Sequence, residues 1–122
     1  MINGIGLDLC GIDRMEALVK DGRFLEKYYT PSERAYIAGR GQMAAASAAG
    51  MFAAKEAFLK AAGTGLAGAA LNEIEVSRHE GGQPYLILHG RAAALAKGMT
   101  AFLTITHEEG MAAATVILEG GV

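Results

Sequence analysis

The stretch AAASAAGMFAAKEAFLKAA, residues 44–62, constrains this chain more than any other. Ten of its nineteen residues are alanine, the strongest helix former, and glycines at 63 and 65 stop the run. The pattern predicts one long helix from Gln42 to Ala62. On a helical wheel Glu56 falls about 40° from Phe52 and about 60° from Leu59, and one broad arc holds only alanine and Gly50. No wide polar stripe remains for water. Such a helix is expected to be at least partly buried, and its small side chains let neighbours come close. Lys55, Glu56 and Lys60 then need a reason to be there. Glu56 and Lys60 stand i, i+4, and an exposed pair at that spacing contributes only about 0.3–0.5 kcal/mol. Among bulky apolar neighbours the same charges are costly unless paired or bound to a metal. A structural ion pair and a functional site both fit.

The elements around the helix define an α+β chain. INGIGLDL, residues 2–9, is a short apolar strand ending at Asp8, in which Gly4 and Gly6 allow another backbone to approach. A helix follows from about Asp13, which can cap it, and Asp21-Gly22 breaks it before a short helix through Phe24, Leu25 and Tyr28. TPSE, 30–33, is a helix start with Thr30 as N-cap, Pro31 at N1 and Glu33 at N3; Gly39 stops that helix. After the long helix the period changes to two. Ile74 and Val76 alternate with Glu73 and Glu75, turn at Gly81-Gly82 and return through Tyr85 and Ile87 as a β-hairpin. A short helix at 90–99 and two strands, 100–107 and 111–119, complete a mostly antiparallel sheet packed on the long helix.

With 122 residues the chain has the length of a single domain, 1–122. Its 52% hydrophobic content comes largely from alanine, which buries little area per residue, so a partner copy is expected to complete the core. A formal charge of −2 leaves no basic footprint for nucleic acid. The single cysteine, Cys10, cannot form an internal disulfide and reads as a small buried hydrophobe, which suits a reducing, cytoplasmic location. No apolar run approaches the ~20 residues of a membrane span.

Three places strand ionisable groups at apolar elements: Asp8 on the first strand, Glu56 with Lys60 on the long helix, and His107 at the end of FLTIT. Two carboxylates are the hard oxygen ligands that Mg²⁺ takes when substrate phosphates complete its shell. A lysine one turn from Glu56 can neutralise a phosphate oxygen, a histidine can donate to another, and the Gly-Thr-Gly turn leaves backbone bare for a ligand. Together these residue types suit phosphoryl transfer or pyrophosphate binding.

GIGLDL (4–9), FAAKEAFLKAAGTG (52–65) and LTITHEEGMAAATVIL (103–118) closely resemble the holo-[acyl-carrier-protein] synthase family, the small bacterial 4′-phosphopantetheinyl transferases, nearly end to end. The helix motif F-x-x-K-E-x-x-x-K-A followed by G-T-G, with G-x-D upstream, is specific. The resemblance implies the 4′-phosphopantetheinyl transferase fold and Mg²⁺-dependent transfer of the 4′-phosphopantetheine arm from coenzyme A to a serine of apo acyl carrier protein, releasing adenosine 3′,5′-bisphosphate. It implies Asp8 and Glu56 as metal ligands, Lys60 and His107 at the coenzyme A phosphates, Gly63 and Gly65 beside the ligand, and Pro84 near the adenine. It further implies a homotrimer with each site between two subunits. It also implies that the first helix docks the carrier protein through Arg14, with Lys20, Arg23 and Lys27 able to assist.

Met51 and Gln83 depart from the family, where many members carry arginine and lysine; both changes remove positive charge that could meet coenzyme A or the carrier. The serine proton can leave to Glu56 or to a water held by the metal. Two other readings fit the residues alone. One is a different Mg²⁺-dependent phosphate enzyme, although such enzymes usually cluster several acids on one helix. The other is a non-catalytic oligomeric interaction domain with structural ion pairs. Lys55 is expected to snorkel to the surface or across a subunit boundary, without a catalytic role.

Overall fold

The computed structural model describes residues 1–120. In chain order it has β1 (Ile2–Gly11), α1 (Ile12–Asp21), α2 (Arg23–Tyr28), α3 (Pro31–Ala38), α4 (Ala44–Ala62), β2 (Ile74–Arg78), β3 (Pro84–Leu88), α5 (Gly90–Leu95), β4 (Met99–Glu108) and β5 (Met111–Gly120). Strands β1, β5 and β4 form an antiparallel sheet in that order, while β2 and β3 form a separate two-stranded sheet rather than extending the first. The α+β architecture is the one expected, and α4 is its axis, lying across β1 and β5.

The alanines explain how α4 fits there. Ala53, Ala54 and Ala57 are completely buried, with Phe58 and Leu59 beside them. Gly4 and Gly6 of β1 meet this surface: a Cβ on Gly4 would collide with the carbonyl oxygen of Ala61, and one on Gly6 with that of Ala57. Strand and helix backbones touch directly, a contact that only glycine permits. This approach sets the depth at which the next inward-facing residue of β1, Asp8, sits against α4.

Several boundaries differ from the sequence reading. Asp8 does not end β1; it sits in mid-strand opposite Ala114, and the strand runs on to Gly11. Asp13 lies in the first turn of α1, whose N-cap is Gly11 without a side-chain cap. Helix α4 begins at Ala44, after a 3₁₀ turn at Gly41–Met43 that Gly41 permits with φ 57°. The α3 start is as read: Thr30 Oγ1 accepts from the Glu33 N–H at 3.2 Å, and Glu33 Oε1 accepts from the Thr30 N–H at 2.9 Å. Gly22 and Gly63 take left-handed conformations at the helix ends they were expected to make.

Lys55 is the largest correction. It is fully buried and reaches neither the surface nor a boundary. Its ammonium donates to Glu33 Oε1 at 2.7 Å and to the carbonyls of Leu71 at 3.0 Å and Ile74 at 2.7 Å. Three donors meet three acceptors, which is how a charge survives inside a protein.

Candidate active site

Asp8 reaches α4 because the glycines two and four residues before it bring β1 against the helix. There it meets Lys60, whose Nζ donates to Asp8 Oδ1 at 2.9 Å and to the Leu7 carbonyl at 3.0 Å. The i, i+4 pair foreseen between Glu56 and Lys60 gives way to this cross-element pair. The carboxylate raises the Lys60 ammonium above its ordinary value, by hydrogen bond and by charge.

Glu56 adjoins the same group. Partial burial, a hydrogen bond to Asp8 and the charge of Asp8, in that order, push its carboxyl up to about 7, against the opposing pull of Lys60 and Arg14. A partly buried carboxyl beside a second carboxylate behaves in this way. Asp8 and Glu56, far apart along the chain, thus share one spot on the surface of α4, with Lys60 one turn on. Arg14 is at the edge of this cluster, its Nη2 directed at the sulfur of the buried Cys10 at 3.7 Å. The thiol is pushed up by its own burial.

Among the described residues no group of three or more His, Cys, Asp and Glu side chains comes together to hold a metal. The donor set is therefore two adjoining carboxylates. That is too few for a structural zinc site, but it suits Mg²⁺, which keeps several waters and takes substrate phosphates as ligands.

His107 and Pro84 are not brought to this cluster within one chain. His107 pairs with Ala112, which pairs in turn with Cys10, so its backbone is two strands away from β1, about 10 Å. It lines a separate pocket of about 120 Å³ on another flank of α4, with Arg40, Ser47, Gly50 and Arg78. Pro84 opens β3 opposite Arg78. The sequence reading missed these two arginines. They lie far apart in the chain, outside any motif, and only the fold brings them to Tyr36, over whose ring Arg40 sits at 5.4 Å and Arg78 at 5.2 Å. Among the described residues Arg78 Nε is buried without a hydrogen-bond partner. Of the two departures, Met51 is buried and Gln83 is exposed at the hairpin turn.

Beside Glu56, Phe24, Tyr28, Phe52, Leu66 and Leu71 line an apolar cavity of about 450 Å³. Two of these rings, Phe24 and Phe52, pack on each other with centroids 5.5 Å apart. Gly63 (φ 79°) and Gly65 (φ 63°) form the turn after α4 in backbone conformations that side chains resist.

Comparison with known proteins shows the family of the whole chain. Residues 4–115 match the family model of the 4′-phosphopantetheinyl transferase superfamily. The chain is 43% identical over 123 residues to the holo-[acyl-carrier-protein] synthase of Treponema denticola, covering 98% of this chain and 100% of the relative. It is 44% identical to that of Myxococcus xanthus, with 97% and 95% covered. Among solved structures, the Bacillus anthracis holo-(acyl-carrier-protein) synthase in complex with coenzyme A (3′,5′-ADP) superposes with TM-score 0.85 at 35% identity, covering 99% of each chain. The Helicobacter pylori synthase in complex with coenzyme A gives TM-score 0.82 at 30% identity, over 94% of this chain and 99% of that one. With its fold, motifs and full-length relatives in agreement, the chain belongs to the holo-[acyl-carrier-protein] synthase family.

Proposed function

We propose that the chain transfers the 4′-phosphopantetheine arm of coenzyme A to a serine hydroxyl of apo acyl carrier protein and releases adenosine 3′,5′-bisphosphate. The observation that carries this reading is the meeting of Asp8, Glu56 and Lys60 where β1 crosses α4. Family membership and the coenzyme A complexes of the B. anthracis and H. pylori relatives support it.

Asp8 and Glu56 would hold a Mg²⁺ ion. The raised Glu56 carboxyl favours this assignment: a carboxyl that resists ionising beside the charge of Asp8 becomes a ligand when a cation takes the place of its proton. When bound, Mg²⁺ supplies positive charge to the pyrophosphate as its bond breaks. The protein does the rest. Lys60, half exposed at the end of α4, offers its ammonium to a phosphate oxygen. The serine oxygen bonds to the phosphorus that carries pantetheine as that phosphorus loses its bridging oxygen, which departs with adenosine 3′,5′-bisphosphate. The serine proton is received at a Glu56 carboxylate oxygen, directly or by way of a solvent molecule. Gly63 and Gly65 leave bare backbone beside the phosphates, and the apolar cavity next to Glu56 suits the pantetheine arm.

Pro84 and His107 join this site only if a neighbouring copy supplies them, and the homotrimer is proposed on that ground. An apolar outer sheet face supports it. Ile5 and Phe102 flank Ile117 across three strands, Leu7 and Leu9 continue the row, and Ile5, Leu7, Leu9 and Phe102 are each at least half exposed. The acidic carrier protein is assigned to the exposed cations Arg14, Lys20, Arg23 and Lys27 on α1 and α2. No helix of the described residues is long and apolar enough to cross a membrane, and the cytoplasm is the proposed location.

The test is incubation with apo acyl carrier protein, coenzyme A and Mg²⁺, read by intact mass. A gain of about 340 Da on the carrier, the mass of the arm, is expected. An unmodified carrier would refute the reading.

A further inference from the structure

Lys55 belongs to the charged motif of α4, yet the reaction above makes no use of it. Its burial is complete, and so is that of its partner, the Glu33 side chain. What the pair touches gives it a role. Among the described residues strand β2 has one ladder partner, β3, so its other edge leaves backbone groups to be satisfied. In a strand the C=O of one residue and the N–H two residues on lie along the same edge. On β2 these are the Ile74 C=O, which accepts from Lys55 Nζ at 2.7 Å, and the Val76 N–H, which donates to Glu33 Oε2 at 2.7 Å. The ion pair itself is closed at 2.7 Å. Two side chains thus stand where a third strand would be. Glu33 is rooted in the first turn of α3 and Lys55 in α4, so the hairpin is fastened to both helices.

The hairpin depends on this anchorage, because a two-stranded sheet has little stability of its own. It also carries Pro84 and Arg78, and Arg78 faces Arg40, Ser47 and His107 across the small basic pocket. We propose that Glu33 and Lys55 are positioning residues for the nucleotide end of coenzyme A: by bracing the open edge of β2 they fix the hairpin, and with it Arg78 and Pro84, against α4 and His107. The inference rests on the reading that Pro84 and His107 meet the nucleotide. It assigns to Lys55 a task distinct from that of Glu56, its neighbour in sequence.

The test compares wild type with E33Q/K55M. This double change removes both charges at once and leaves no unpaired ion in the core. Adenosine 3′,5′-bisphosphate is titrated calorimetrically, and KM for coenzyme A and kcat are measured with apo acyl carrier protein and Mg²⁺. The double variant is expected to bind the bisphosphate at least tenfold more weakly and to raise KM by a similar factor, with kcat at saturation within about threefold of wild type; tenfold corresponds to about 1.4 kcal/mol. A folded double variant with unchanged affinity and KM, showing only a lower melting temperature or a smaller active fraction, overturns the inference. If the double variant does not fold, E33Q decides. It keeps an oxygen for Thr30 and Lys55 but presents an amide to the Val76 N–H, and a KM raised about threefold is expected; unchanged KM overturns the inference. A wild type that binds no bisphosphate refutes the underlying nucleotide reading, whereas wild type and variants binding it equally refute the positioning role alone.

Discussion

Replacing Gly6 by alanine should damage both stability and catalysis. The added Cβ would collide with the Ala57 carbonyl oxygen and crowd the Ala61 backbone nitrogen, both part of the rigid α4 backbone. No side chain can swing aside, so β1 and α4 must separate. Overpacking of a core costs about 1–3 kcal/mol, and a backbone obstacle places this substitution near the upper end, about 3 kcal/mol. For a chain of 122 residues the unfolding entropy per residue converts this to a melting temperature lower by roughly 12 °C. Asp8 lies two residues further along the same face, so its 2.9 Å contact with Lys60 should break as well. Misplacing a site by about 1 Å can cost on the order of 100-fold in rate. The assay is thermal unfolding by circular dichroism, with carrier modification measured below the transition. Gly11→Ala is the control: its Cβ would meet nothing within 4 Å, and its φ of −70° suits any residue. That variant should melt within about 2 °C of wild type. A G6A protein as stable and active as G11A would refute the claim that backbone contact between strand and helix builds the site.

Two further predictions concern assembly and pH. Ile5→Glu puts a charge on the exposed apolar sheet face while sparing the packed one, and should yield monomers in sedimentation velocity with carrier modification abolished; an assembly of unchanged size would contradict the proposed trimer face. Because the folded state raises Glu56 from 4.5 to about 7, its contribution to stability without metal is fully present below pH 4.5 and is lost as pH rises through about 7. Mg²⁺ competes with that proton, so calorimetric Mg²⁺ affinity should be about tenfold lower at pH 6 than at pH 8, and equal affinities would contradict the pairing of the two acids.

Local signals made much of this legible in the sequence. The Thr30-Pro31-Glu33 start, the left-handed glycines at 22 and 63 and the switch to period two after residue 73 depend on a few adjacent residues, and all appear in the fold. Gly4 and Gly6 could be read as places of close approach, but not which backbone would approach. Asp8, Glu56 and Lys60 could be named as chemistry-bearing. That Lys60 pairs with Asp8 rather than Glu56 depends on how deeply β1 seats, which is a tertiary property. Lys55 was misjudged because a helical wheel ranks positions along one element and cannot show that a carboxylate from α3 and two carbonyls from beyond α4 await the ammonium. Arg40 and Arg78 escaped notice for a similar reason: each is unremarkable in its own segment.

The most direct measurement is calorimetric titration of Mg²⁺ into wild type, D8N and E56Q at pH 8, with folding of each checked by circular dichroism. Wild type should bind one ion per site, and each folded variant should bind it at least tenfold more weakly, because either change removes one of the two carboxylates. Undiminished Mg²⁺ affinity in both variants would mean that Asp8 and Glu56 do not hold the ion together.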